Sequence, residues 1–401
     1  MHQVMLTFVA GMAIAGSMAH AQPALIDLGL PPGARDCEAS TLSADGAIVG
    51  GSCTVGLART AYRWTDSGGF DLIDPDGAFF WTTTDAMSTD GQTIAGLAIE
   101  DDGATTYGFR WTDGGGLEML PPPAGLDSTW GQGISGDGFT VVGAAVGGGD
   151  ARAFLWTPVG GTESLGVLTG AIDSAARAIS ADGQIVVGVS GDEPFRWTRA
   201  DGMVSLGLPA TATGAAAVAA SADGSIIAAN ALIDSVQRAH LWTQAGGFVA
   251  LPVPSGATRT TIEAISPDGS IVVGSLGIPA NRAMYWRADV GTVFLADYLA
   301  DLGVDVSGWI LLVARAVSAD GSTVAGVGLL DGQQRAFLIT GLPAIAPCPA
   351  DLDGDGRLTV FDFLEFQNLF VAGDLAADFD GDGELTIFDF LAFQNAFDAG
   401  C

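Results

Sequence analysis

Residues 24–340 alternate short apolar runs with polar, glycine-bearing turns. The clearest instance is Ile179-Ser-Ala-Asp-Gly-Gln-Ile-Val-Val-Gly188, with Phe195-Arg-Trp197 just after it. Ser180-Ala-Asp-Gly183 reads as a turn, because Ser suits its first position and Gly its fourth, where φ turns positive. Runs on either side of such a turn make a tight hairpin. Ile185-Val-Val187 is β-branched, as a strand requires. After a variable loop comes a second signature, small-aromatic-x-Trp. It stands at Ala61-Tyr-Arg-Trp64, Gly108-Phe-Arg-Trp111, Ala153-Phe-Leu-Trp156, Pro194-Phe-Arg-Trp197, Ala239-His-Leu-Trp242 and Ala283-Met-Tyr-Trp286. One or two Gly and a short apolar run such as Met203-Val-Ser-Leu206 complete the unit. Each unit therefore holds four strands, a to d.

The unit recurs seven times, with the Asp of Ser-x-Asp-Gly at Asp45, Asp90, Asp137, Asp182, Asp223, Asp268 and Asp320. Successive intervals are 45, 47, 45, 41, 45 and 52 residues. Four strands in about 45 residues is the length of a propeller blade. The seventh copy, Ala336-Phe-Leu-Ile339, runs into Gly341-Leu-Pro343 with no strand d. Ala24-Leu-Ile-Asp-Leu-Gly-Leu30, ahead of the first strand a, reads like the strand d segment Met203-Val-Ser-Leu-Gly-Leu208. The N-terminal strand is thus expected to complete the last blade and close the ring, removing exposed sheet edges. The expected fold is an all-β seven-bladed β-propeller over residues 22–342; an open stack of hairpin units is the alternative. The repeat resembles the bacterial extracellular family called HAF, whose units read Ile-Ser-x-Asp-Gly, a Val/Gly strand, then Ala-Phe-x-Trp. That resemblance covers most of 37–340 and implies export and a propeller-like fold. It implies no particular activity.

Composition adds compartment and charge. There is no Lys, so all 15 basic residues are Arg against 46 acids, a net charge of −31. Such a surface repels phosphate backbones and attracts cations, so nucleic acid is not an expected partner. Residues 1–21 are apolar from Val4 onward, and Ala19-His-Ala21 has the small-x-small form of a signal-peptidase site. A cleaved signal peptide is expected, the alternative being a short anchor; nothing later reaches spanning length. In an exported chain four Cys invite pairing. Cys37 and Cys53 flank the Asp45 turn symmetrically, and Cys348 and Cys401 bracket the C-terminal segment, so these two local pairs are expected among three arrangements.

On a propeller of this kind the Ser-x-Asp-Gly turns lie on one face, and the b–c and d–a loops on the other. The turns read as structural, their Asp bonding local N–H groups. The looser face is the expected ligand face. Trp81, Trp130 and Trp309 stand outside the repeat signature, ahead of a strand a. Their rings suit either sugar stacking or packing between blades. Three residues before each repeat Ser stand Ser40, Asp85, Gln132, Arg177, Val218, Glu263 and Arg315. In a closed ring they face the axis, as a wet structural network or as a site. Arg152, Arg238, Arg282 and Arg335 form a second row, expected to tie loops to carboxylates or aromatics. His240 is the one His after residue 21 and occupies a packing position, so Ser-His-Asp chemistry lacks its base. An Asp/Glu pair for glycoside chemistry stays open.

Past a Pro/Ala linker, 343–350, the texture changes. Asp351-Leu-Asp-Gly-Asp-Gly-Arg-Leu-Thr-Val-Phe-Asp362 has carboxylates at positions 1, 3, 5 and 12 and Gly at 6. Position 7, Arg357, offers a carbonyl, and position 9, Thr359, acts through water: the spacing that wraps a loop around Ca2+. Twenty-seven residues on it returns as Asp378, Asp380, Asp382, Glu384, Thr386 and Asp389. Each loop runs into an apolar helix, Phe363–Phe370 and Phe390–Phe397, expected to pack Phe against Phe. Two Ca2+ are expected, and folding of the tail should depend on them, since clustered carboxylates repel. Paired loops with exit helices are similar to a dockerin, so 351–401 resembles that module. The resemblance implies calcium ligation at the positions above and docking onto a cohesin partner, with Val360-Phe361 and Ile387-Phe388 at the partner-choosing positions.

The sequence leads to an exported or cell-surface binding protein. Its propeller presents a carbohydrate or protein face, and its calcium tail docks or anchors it. The runner-up is a carbohydrate-active enzyme, a glycoside hydrolase or lyase, with acids at the axis.

Overall fold

In the Ser180 turn the Ser180 hydroxyl donates to Asp182 Oδ1 at 2.5 Å and accepts the Ile185 N–H at 2.9 Å. Asp182 Oδ1 also accepts the Gln184 N–H at 2.9 Å, and Gly183 takes φ +73°. A hydroxyl and a carboxylate thus satisfy the backbone where the chain reverses. The same Ser–Asp bond recurs in all seven turns.

The structure is a computed structural model that describes residues 22–74, 77–101, 103, 105–277, 280–343, 350, 352, 358 and 360–399. The expected signal peptide, most of the linker, Cys348, Cys401, Asp351, Asp353, Asp355, Arg357 and Thr359 lie outside the described residues.

Six units run as four consecutive antiparallel strands, and the last as three with the N-terminal strand as its fourth. In the Asp182 unit they are Ser174–Ile179, Val186–Ser190, Glu193–Thr198 and Gly202–Ser205. Among the described residues there are six sheets, five of four strands and one of eight. The larger one is two four-stranded sets bridged by a single parallel pair, Arg59 opposite Trp81. The N-terminal strand Ala24–Asp27 lies antiparallel on Gln333–Thr340, with Ala24 opposite Thr340 and Asp27 opposite Phe337.

Neighbouring units are tied in three ways. Signature aromatics bury between sheets: Phe195 and Trp197 pack with Val142 and Leu155 of the preceding unit. The small signature residue donates its N–H to a hydroxyl on the next unit's strand a, as in Ala153 to Ser174 Oγ at 2.8 Å. Ala61 to Thr82, Gly108 to Thr129 and Ala239 to Thr260 repeat it. Finally, the second residue of each turn bonds to its counterpart in the next turn. Ala44 N–H donates to Thr89 O, Thr89 to Gly136, Gly136 to Ala181, Ala181 to Ala222 and Ala222 to Pro267; Ala319 donates to Ala44. The chain of bonds breaks only between Pro267 and Ala319, because proline has no N–H to give.

Helix α1, Leu295–Asp301, is absent from the sequence expectation and occupies the longest interval, before Asp320. It buries Leu295 and Leu299, and Tyr298 stacks on Tyr285 at 5.0 Å. Cys37 and Cys53 face each other across the first hairpin and are disulfide-bonded.

The tail comprises α2, Val360–Ala372, a 3-10 turn Leu375–Ala377, and α3, Ile387–Ala399. Both helices start three residues earlier than the aromatic pattern indicates. The reason at α3 is a cap: Thr386 Oγ1 accepts the Phe388 N–H at 3.1 Å while Asp389 bonds back to the Thr386 N–H at 2.6 Å. The helices meet Phe against Phe, with Phe366 stacked on Phe393 at 4.5 Å and Phe379 edge-on at 5.3 Å. No helix among the described residues is long and apolar enough to cross a membrane.

Candidate functional site

In every unit the pairing of strand a with strand b slips by one residue at the same place. Ala176 faces Gly188 and Ala178 faces Val187, leaving Arg177 as the extra residue. The extra residues of the other units are Ser40, Asp85, Gln132, Val218, Glu263 and Arg315. A bulge re-aims its side chain. Here all seven converge on one cavity of about 320 Å³. Sequence reasoning grouped these residues by their fixed offset from the repeat Ser but missed the bulge that aims them into this cavity. Its signal was the glycine opposite: a Cβ on Gly188 would stand 2.0 Å from Ala175 O, and an isolated Gly in a strand marks such an approach.

Beneath the polar ring the channel narrows. The residues just before each repeat Ser, among them Leu42, Met87, Ile134, Ile179, Ile265 and Val317, line a second space of about 180 Å³ at the turn face. The cavity is thus polar towards the loop face and apolar towards the turns.

The side chains of the polar ring differ in how far they are satisfied. Ser40 donates to Thr84 O, and Val218 is apolar. Asp85 accepts the Trp130 indole N–H at 2.9 Å and the Thr83 hydroxyl at 3.3 Å. Burial nonetheless pushes the Asp85 carboxyl up to about 6, against those two donors. Burial also raises Glu263, against the pull of Arg315. Arg315 Nη2 reaches Glu38 at 3.6 Å, and Arg59 pairs with both Glu38 and Asp36, so these four neutralise one another. Arg315 Nε and Gln132 Oε1 are buried without a hydrogen-bond partner. Arg177 has no bond or ion pair among the described residues.

The three extra Trp sit at the starts of strands a rather than ahead of them, and they divide. Trp130 is exposed and reaches the cavity through Asp85. Trp81 is exposed but carries the Arg59 guanidinium over its ring at 5.5 Å. Trp309 is partly buried, edge-on to Phe337 at 6.2 Å, which is the packing role. The outer Arg row ties loops through carbonyls as well as through the expected carboxylates. Arg152 and Arg238 donate to the carbonyls of Ile172 and Thr258 at 2.8 and 2.6 Å, and of the row Arg152 and Arg335 meet a carboxylate, Asp150 and Asp27. His240 is 4% exposed and edge-on to Phe248 at 6.3 Å, a packing residue.

In the tail, carboxylate oxygens of Asp378, Asp380 and Asp382 lie within 4.8 Å of one another, a group able to hold a metal ion. Asp378 also accepts the Gly381 and Gly383 N–H groups at 2.9 Å, which curls the loop around that point. Asp389 and Asp362 are buried at the matching positions, Asp362 accepting the Leu352 N–H at 2.9 Å. All donors are carboxylate oxygens, which suit a hard cation.

No family model and no curated protein matches this sequence. Solved structures do. An oligogalacturonate lyase in complex with manganese superposes with a TM-score of 0.53 at 12% identity, over 80% of this chain and 93% of that one. The β-propeller domain of the Trilobed protease from Pyrococcus furiosus, described as having an open velcro topology, gives 0.53 at 11% identity, over 78% and 98%. TolB from Acinetobacter baumannii gives 0.44 at 17% identity, and this chain spans 63% of it. The first two likenesses, at this identity, show the β-propeller fold alone.

Proposed function

We propose that this chain is an exported seven-bladed propeller that binds carbohydrate at the loop-side mouth of its axial cavity. The N-terminal strand closes the ring, supported by its pairing with Gln333–Thr340 and by the turn-to-turn bonds that return from Ala319 to Ala44. One observation carries the binding reading. Seven bulges gather side chains around one cavity, where Gln132 Oε1 and Arg315 Nε are buried without a hydrogen-bond partner and the exposed Arg177 has no bond or ion pair among the described residues. Unpaired buried polar groups are costly, so they are kept for something that pairs them. Trp130 adds an exposed ring at the rim, and hydroxyl-rich ligands with apolar ring faces match that combination. The volume lies at the lower end for ligand pockets, about 300–1,000 Å³, room for one or two sugar rings.

The tail is read as a calcium module with two ions, in loops 351–362 and 378–389, that docks or anchors the protein at a cell surface or on a cohesin-like partner. Asp378, Asp380, Asp382 and Asp389 hold the second ion, with Glu384 giving its carbonyl and Thr386 acting through water. A second functional reading has one observation in its favour. Asp85 is a carboxyl whose pKa burial raises to about 6 beside an open cavity, the direction in which a general acid is tuned.

Calorimetric titration of the full chain tests these readings together. Calcium should bind at two sites, one of them lost in Asp380→Asn. Neutral and acidic oligosaccharides should bind without being cleaved, and Trp130→Ala should weaken binding on the order of tenfold, as loss of a stacked ring does. Release of new sugar ends over hours would favour the enzyme. No sugar bound would end the binding reading.

A further inference from the structure

The carbohydrate reading leaves open what distinguishes one sugar from another, and the charges around the cavity answer that. Arg59, Arg315, Glu38 and Asp36 form a closed network and cancel. What remains facing the cavity, among the described residues, is one unpaired cation, Arg177, with the carboxyls of Asp85 and Glu263. Arg177 and Gln132 belong to consecutive units, so they share one wall. Glu263 and Arg315 likewise share the opposite part of the ring, with Val218 between the two walls on one side. A guanidinium forks around a carboxylate with two parallel bonds, a geometry a lone hydroxyl cannot match. Gln132 Oε1 lacks a donor and Arg315 Nε lacks an acceptor, and sugar hydroxyls supply both.

Resting on that carbohydrate reading, we propose that the axial cavity selects an acidic sugar, a uronate whose carboxylate pairs with Arg177 while its hydroxyls meet Gln132, Glu263 and Arg315, and that it holds this ligand more tightly in mildly acidic medium. A single negative charge is what the site accommodates. A doubly charged phosphate would meet Asp85 and Glu263 with only one free cation to offset them.

The acid dependence follows from who faces Asp85. Its carboxyl meets Thr83 on its own strand and Trp130 from the next unit, with Glu38 and Arg315 acting across from neighbouring units. Burial holds it protonated up to about 6, and burial raises Glu263 in the same direction. With Asp85 protonated, the cavity sets Arg177 against one fewer negative charge. With Asp85 ionised it gains a negative charge that repels a carboxylate. The uronate itself stays ionised above roughly pH 4. Affinity should therefore be highest between about pH 4.5 and 6 and fall as pH rises through the Asp85 titration.

The experiment titrates the full chain with glucuronate and with glucose, at pH 5.5 and pH 7.5, by calorimetry or ligand-observed NMR. Glucuronate should bind at least about tenfold more tightly than glucose at pH 5.5, the discrimination of a site built to pair a specific polar group. It should weaken on the order of tenfold at pH 7.5. Arg177→Gln should abolish the preference for glucuronate, and Asp85→Asn should abolish its pH dependence. Equal affinity for the two sugars at both pH values overturns the acidic-sugar proposal and leaves the carbohydrate reading standing. Preference without pH dependence overturns the part assigned to Asp85. Binding of neither sugar, with the variants folded by circular dichroism, overturns both the proposal and the reading beneath it.

Discussion

Ser180 does two jobs in its turn: its hydroxyl donates to Asp182 and accepts from the Ile185 N–H. Removing it leaves the buried Ile185 N–H without its partner and takes one of two donors from Asp182 Oδ1, which keeps the Gln184 N–H. Each such loss costs about 1 kcal/mol, more when the partner is charged. Ser180→Ala should therefore lower stability by about 2 kcal/mol, read as a shift of the urea midpoint at unchanged slope. A shift under a quarter of that would mean that the turn is held by its neighbours and not by its own side chains. Gly188 works through what it lacks. A Cβ there would stand 2.0 Å from Ala175 O, so at this site strand b lies against strand a beside the bulge that aims Arg177. In the Asp223 unit Ala229 replaces that glycine, and there the extra residue is Val218, the one apolar member of the ring.

At the scale of the element, the first hairpin carries the network behind the cavity. Cys37 and Cys53 sit directly opposite, and Glu38 and Ser40 follow on the same strand. Their bond closes a loop of 16 residues, which in the chain-entropy view stabilises by about 3 kcal/mol. The double variant Cys37→Ala/Cys53→Ala should melt several degrees lower, and Glu38, freed from its fixed strand, should hold Arg59 and Arg315 less well. An unchanged melting curve would show the pair to be redundant with the sheet. Helix α1 teaches the opposite lesson about elements. Its seven residues, Leu295-Ala-Asp-Tyr-Leu-Ala-Asp301, are too few to announce a helix by period. Burial of Leu295 and Leu299, with Tyr298 against Tyr285, makes it one. In the tail the aromatic positions were legible, and the cap by Thr386 and Asp389 set a start three residues earlier than they indicated.

For the whole molecule, the decisive contact joins the two ends of the sheet region. Leu28 N–H donates to Ala336 O, and Ala24–Asp27 covers the edge of Gln333–Thr340. Deleting residues 22–28 would bare the strand edge over Ala336–Thr340, a template for another chain. The truncated protein should elute as dimers or larger species in size-exclusion chromatography. A stable monomer would show that the last sheet does not need this strand. The exit from the sheets is also secured: Arg287, chelated by Asp289, donates to Pro343 O at 2.6 Å, and Leu342 N–H donates to Ser322 O.

The chain's own residues determined the turns, the four strands per unit, the repeat period and the ligand spacing of the tail. Those features rest on bonds between residues two to five positions apart, or on a pattern that returns every 45 or so residues, and both are written along the chain. The axial positions were legible too, because a fixed offset from each repeat Ser marks them. Their pairings were not. Trp130 with Asp85, Arg315 with Glu38, and Trp309 against Phe337 join residues from different strands, many of them in different units. Only packing between units brings them within reach, and the same packing decides which polar groups are satisfied and which, like Arg177, remain open to a ligand.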